Sequence, residues 1–189
     1  MSVYKVFSGL TLLFLFNCAT TNEVIYDYNL DTDFNQYDTY VLCVEDFFVE
    51  NINYPHLDNQ VIRTYIRDAV DDEMINKGHK TNVLNPQLQA GFRLLISEET
   101  VEFENCEHSA QLEYWESCTI QHETYEHETL VVYVSDFNTN KILWHASISC
   151  DLNIPKKNLQ PYINGLVKDL FATYPKNSVH KNPDDFKEN

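Results

Sequence analysis

Apolar and polar positions alternate most cleanly between Thr129 and Leu152, TLVVYVSDFNTNKILWHASISCDL. Leu130 to Val134 is an unbroken apolar run, rich in β-branched residues and too short for an ordinary helix, which predicts a strand flanked on both sides. Ser135 to Lys141 carries the short polar side chains that bond back to a local turn. Beyond it Ile142, Trp144, Ala146, Ile148, Cys150 and Leu152 fall on one face, and Leu143, His145, Ser147, Ser149 and Asp151 on the other. Side chains at period two predict a strand with one face on a core and one wet, paired antiparallel through the turn.

Earlier in the chain, Val24 to Tyr28 and Thr39 to Val44 read as strands. Leu57, Val61, Tyr65 and Ala69, flanked by Ile62, Ile66, Val70 and Met74, form a helical apolar stripe opposite Arg63, Arg67, Asp71, Asp72 and Lys77. Asp58 or Asn59 can cap its start, and Gly78 can stop it. Val83 to Gln89 reads as a link. Phe92, Leu94 and Ile96 begin a third strand that continues through Val101 and Phe103, and the change of parity predicts a bulge near Glu98 and Glu99. Residues 104–128 show no legible period and read as an excursion. A last stripe runs from Leu159 to Tyr174 and ends at Pro175. The order strand-strand-helix-strand-strand-strand-helix predicts an α+β domain, a mostly antiparallel sheet of about five strands with two helices packed on one face.

The first residues predict an address. Val6 to Phe16 is apolar, too short to span a bilayer but right for a signal-peptide core. It runs into Leu15-Phe16-Asn17-Cys18, which resembles a bacterial lipobox. There a peptidase cleaves before a cysteine carrying acyl chains, although Asn17 stands where a small residue is usual. The expected organisation is a signal peptide over 1–17, a lipidated tether over 18–23, one domain over 24–175 and a polar tail over 176–189. Ala19 after the cysteine resembles an outer-membrane sorting context, with the domain on the periplasmic face.

Three further segments carry a resemblance. YDYNLDTDFNQYDTYVL, IRTYIRDAVDDEMINKGHK and TLVVYVSDFNTNKILWHASI, with the closing helix followed by Tyr174-Pro175, resemble the bacterial lipoprotein family called domain of unknown function 4136. The likeness covers about residues 23–176. It departs at 104–128, which look like an insertion, and at His145, where an arginine is more usual. It implies an envelope lipoprotein with an α+β fold and brings no catalytic residues with it.

Charge narrows the function classes. The chain has formal net charge -16, and removing residues 1–17, which hold Lys5 and no acid, leaves 12 bases against 29 acids. Such a surface repels phosphate backbones and argues against nucleic acid as a partner. No nucleophile, base and oxyanion donor assemble in any motif, so the chain reads as non-enzymatic and without a cofactor. His145 beside Ser147 and Ser149 has no third member and reads as a surface histidine.

Cysteine offers more. Besides Cys18 the domain holds Cys43, Cys106, Cys118 and Cys150, an even number for an oxidising compartment, and four cysteines allow three connectivities. Cys106 and Cys118 flank the excursion, and a bridge closing it would contribute roughly 3 kcal/mol in the chain-entropy picture. Cys43 and Cys150 both fall in predicted strands and could pair across the sheet. The same excursion offers a competing metal set, Cys106, His108, Cys118, His122 and His127, although its spacing matches no common zinc module. Exposed aromatics in predicted loops, Phe47, Phe48, Tyr54, Tyr114 and Trp115, are candidate contacts for a partner. The expectation is a membrane-tethered module that meets an envelope protein, and the alternative is a small-ligand or metal-binding lipoprotein.

Overall fold

The computed structural model describes residues 23–108 and 116–176. In order these form β1 (Ile25–Tyr28), β2 (Thr39–Leu42), α1 (Gln60–Asn76), β3 (Lys80–Thr81), β4 (Leu88–His108), β5 (Glu116–Asp136), β6 (Ile142–Cys150) and α2 (Lys156–Phe171). One six-stranded sheet has the order β1-β6-β5-β4-β2-β3. The α+β class is as expected, but the sheet is mixed: β2 runs parallel to both β3 and β4, because α1 carries the chain back to the same end of the sheet.

The core is the face that the alternation marks. Leu88, Ala90, Phe92 and Leu94 of β4, Leu130, Val132 and Val134 of β5, and Trp144, Ala146 and Ile148 of β6 are all buried. Against them lie Ile62, Ile66, Val70 and Met74 of α1 and Ile163, Val167, Leu170 and Phe171 of α2, and the two helices also touch each other. Trp144 packs at 5.1 Å from Phe171 and 5.2 Å from Tyr174, and its indole N–H donates to Thr173 Oγ1 at 3.2 Å.

The ends of α1 follow the chemistry of its flanks. Asn59 Oδ1 accepts from the amides of Val61 and Ile62, satisfying two otherwise free donors. Gly78, at φ 85°, turns the chain out of the helix while His79 N donates back to Met74 O. The stripe itself is rotated from the expected one. Val61 is 55% exposed, whereas Arg63, placed by pattern on the wet side, is buried.

Two local expectations fail. No bulge interrupts β4, which stays in register with β5 through every pair from Leu88↔Asp136 to His108↔Glu116. The irregularity lies instead on the β5–β6 side, between Val134 and Ser135. Trp144 pairs with Val134 but Ile142 with Ser135, so Leu143 is an extra residue. It is therefore buried and Ile142 is 46% exposed, reversing their expected faces.

Of the residues read as an excursion, 104–108 and 116–128 are strand, whereas of the link only Leu88 and Gln89 belong to β4. Beyond Glu128↔Cys150, where β6 ends, β4 and β5 continue alone from Ser97↔His127 to His108↔Glu116. At the usual rise per residue this two-stranded arm reaches roughly 40 Å past the helix-covered sheet.

A buried histidine makes stability depend on pH. His79 lies 2% exposed, with Nε2 at 3.1 Å from Tyr174 Oη and its ring edge-on to Tyr40 and Tyr174. Burial, reinforced by the Lys176 ammonium, depresses its pKa from 6.5 to about 4. Unfolded, the ring takes up its proton near pH 6.5; folded, it stays neutral until about 4. Between those values the unfolded chain binds the extra proton, so stability falls as pH falls. From pH 7 to pH 5 the wild type is expected to lose about 2 kcal/mol that His79→Gln does not lose. Urea unfolding of both chains at the two pH values measures this, and parallel losses would remove His79 as the cause.

Candidate functional site

The largest buried polar cluster forms where β2 leaves the sheet. The last bond between the two strands is Cys43 N to Ala90 O, at 2.8 Å. Beyond it the β4 edge would be bare, and segment 45–58 closes it with side chains instead of a strand. Phe92 N donates to Asp46 Oδ2 at 2.9 Å, and Leu94 O accepts from Asn51 Nδ2 at 2.9 Å. Asp46 Oδ2 also accepts from Tyr133 Oη at 2.7 Å, across the glycine at position 91.

Arg63 holds this segment from below. Its Nε and Nη2 donate to the two oxygens of Asp58 at 2.6 and 2.7 Å, and its Nη1 donates to Asp46 O at 2.7 Å. The side chains of Arg63 and Asp58 are both fully buried, and the guanidinium lies 5.8 Å from the Phe92 ring centre. Asp58 Oδ2 further accepts from Asn51 N at 2.9 Å. Burial pushes the Asp58 carboxyl upward, but Arg63 and Asn51 together outweigh it and hold the group below the usual carboxylate range. Outside, Arg93 pairs with Glu50 and stands 3.5 Å from Asp46 Oδ1. Burial, with hydrogen bonds to Cys43 and Asp46, raises the Tyr133 phenol far above its ordinary value.

Chemically this is a poor reaction centre. Asp46 Oδ2 already accepts two donors, Tyr133 is held protonated, and Arg63 is enclosed. An open cleft of about 540 Å³ adjoins the cluster, lined in part by Cys43, Val44, Val83, Arg93, Tyr133 and Phe137. The arrangement closes a sheet edge. The space between the helices and the sheet, where a ligand pocket was one expectation, is filled by core side chains.

The residues singled out in the sequence scatter over this frame. Cys18, Tyr114 and Trp115 lie outside the described residues. Phe47 is half-buried under the Arg67 guanidinium, 5.5 Å from its ring centre, and Tyr54 packs on the body with its hydroxyl donating to Glu98. Among the described loop aromatics Phe48 alone is open, at 67% exposure. Asp71, placed by pattern opposite the apolar stripe of α1, accepts from the Tyr40 hydroxyl at 2.5 Å. His145 is exposed opposite Asp27 of β1, as expected of a surface histidine.

The cysteine pairs divide. Cys43 and Cys150 are free, and the expected bridge between them is overturned: Cys43 follows β2, Cys150 ends β6, and both β4 and β5 lie between. Three strand spacings are at least about 14 Å, twice what a disulfide spans. Burial, with the charge of Glu128, pushes the Cys150 thiol up to about 12. Cys106 and Cys118 are, by contrast, direct register partners.

For the metal set, His122 Nδ1 is 3.4 Å from Glu102 and His127 Nε2 is 3.6 Å from Glu99, on opposite faces of the arm. Among the described residues no three ligating side chains converge. The side chains of Cys106, His108 and Cys118 lie outside those described. What the sequence reading missed is the edge cluster, and its one signal was a pair of acids, Asp46 and Asp58, flanking a loop before an arginine-bearing helix.

Fold and cluster together define a two-layer α+β domain whose buried charges hold a sheet edge. The chain belongs to the family described as Domain of unknown function (DUF4136), whose pattern it matches over residues 24–176. Two crystal structures share the fold. A DUF4136 family protein from Bacteroides thetaiotaomicron VPI-5482 is 13% identical with a TM-score of 0.51, over 83% of this chain and 97% of that one. A PDZ domain protein from Parabacteroides distasonis ATCC 8503 is also 13% identical with a TM-score of 0.51, over 84% of this chain and 36% of that one. No curated protein matches the chain. No helix among the described residues is long and apolar enough to cross a membrane.

Proposed function

We propose that this chain is a non-enzymatic envelope lipoprotein, held at the outer membrane by acyl chains on Cys18, which meets a protein partner on the periplasmic side. The observation that supports this most is the arm. Residues Glu98, Glu99, Glu102, Glu123 and Glu126 are exposed along it, on both faces. Past the ends of β2 and β6 its two outer edges have no neighbouring strand among the described residues. Its outer edges offer unpaired backbone and these carboxylates supply dense negative charge, both of which suit a basic or strand-adding partner.

Two measurements test the reading. Replacing residues 1–18 by a cleavable secretory signal without the cysteine is expected to move the chain from the membrane fraction to the soluble envelope fraction, and the acyl mass on the wild-type Cys18 peptide is expected to be absent; an unchanged distribution would sink the tether. A photo-crosslinking amino acid at exposed Ile120 is expected to trap one envelope protein in cells, while the same probe at exposed Leu30, far from the arm, does not. Equal trapping at both positions would remove the arm as the contact. A small molecule or metal retained through native mass measurement would favour the ligand-binding alternative instead.

A further inference from the structure

The register of the arm assigns a covalent site that its exposed surface alone does not suggest. We infer that Cys106 and Cys118 form a disulfide that staples β4 to β5 near the outer end of the arm. The register between the two strands is unbroken over its whole length, and it sets these two cysteines directly opposite, on the same face of the ribbon. Directly opposed residues of an antiparallel pair have Cα atoms about 4.5 or 5.5 Å apart, and both values fall inside the range a disulfide accepts. Their position two rungs from the last described pair, His108↔Glu116, places the bridge where a two-stranded ribbon has least to hold it.

The remaining cysteines strengthen the assignment. Cys43 lies beside Ala90 and Cys150 opposite Glu128, ten or more residues along the strands from the Cys106–Cys118 rung and so roughly 30 Å or more away, and neither competes for the pair at the arm. The reaction is thiol–disulfide exchange with a disulfide-bearing oxidant, an oxidoreductase of an extracytoplasmic compartment or oxidised glutathione in the tube. One thiolate attacks the oxidant's disulfide, breaks its S–S bond, expels one oxidant sulfur as a thiolate and forms a mixed disulfide with the other. The second thiolate then displaces that remaining oxidant sulfur and closes the Cys106–Cys118 bond. Two electrons pass to the oxidant, and the two protons given up by the cysteines end on its two sulfurs as thiols.

The bridge does not depend on the lipid anchor, and its test is separate. The full chain is exported, purified in detergent without reductant, incubated with oxidised glutathione, then denatured in an alkylating reagent and mapped by peptide. Cys43 and Cys150 are expected to label at once, and Cys106 and Cys118 to label about tenfold more after reduction than before. The unreduced digest should hold one linked peptide pair that joins the two within a single chain. In Cys118→Ser, which lacks the resolving thiolate, Cys106 should label without reduction when oxidised glutathione is omitted and carry one glutathione when it is added, with no linked peptide pair in either case, a readout taken in denaturant and therefore insensitive to folding. Full labelling of both cysteines before reduction overturns the bridge. So does a linkage that joins two chains, or a native mass raised by one zinc with both thiols free.

Discussion

Replacing Arg63 by leucine is expected to cost the fold about 3–5 kcal/mol, the range for breaking one partner out of a buried pair. The loss has three parts. Asp58 would keep a buried carboxylate without its two-pronged partner, Asp46 O would lose its donor, and segment 45–58 would lose its hold on the β4 edge. Arg63→Lys should recover only part of this, because an ammonium cannot present the planar fork. The decisive comparison adds Asp58→Leu. If the pair acts as a unit, the double variant is less destabilised than the sum of the single ones by at least about 1–2 kcal/mol. Urea unfolding of the four chains at pH 7 reads this directly. An Arg63→Leu loss below about 1 kcal/mol would mean that the edge is held by the loop backbone and not by the buried ions.

Gly91→Ala is the second large effect, and it acts on the same edge from the opposite side. A Cβ at position 91 would stand 2.2 Å from Asp46 Oδ2 and 2.5 Å from both Cζ and Oη of Tyr133. None of these atoms has an easy retreat, because the carboxylate is fixed by Phe92 N and the ring is packed over the sheet. Overpacking and the lost charge-assisted hydrogen bonds together should cost about 3–5 kcal/mol. Tyr133→Leu in the same chain clears one of the two clashes and should recover part of the loss. Recovery is measured as the shift in the urea midpoint between single and double variants. No recovery would place the whole cost on the displaced Asp46.

Both effects centre on residues that the sequence pattern placed wrongly or passed over. Arg63 lies within an apolar stripe whose period is clear, and an arginine in such a stripe reads as its wet margin. Burial came from a partner five residues earlier and a backbone oxygen seventeen residues earlier, neither of which a helical period reports. Gly91 drew no reading because its close neighbour, Asp46, sits in another segment altogether. The arm was illegible for a different reason. A strand pair that runs past the helix-covered sheet packs no face on the core and needs no apolar alternation, so residues 104–108 and 116–128 showed the composition of a loop while forming strand.

The sequence by itself determined what depends on local chemistry and on one buried face. The alternation in β4 and β6 located the core face, the apolar run Leu130 to Val134 located the strand between them, Asn59 and Gly78 bounded α1, and the run of polar residues from Ser135 to Lys141 located the turn. Only the tertiary structure decided which strands are neighbours. That choice made β2 parallel to β4 and left the β4 edge for Asp46 and Asn51 to close. It also separated Cys43 from Cys150 by two strands and set Cys106 opposite Cys118. The physical reason is common to all of these. Periodicity records how one segment meets solvent, whereas a partner, an edge or a buried ion pair is a relation between segments far apart in the chain.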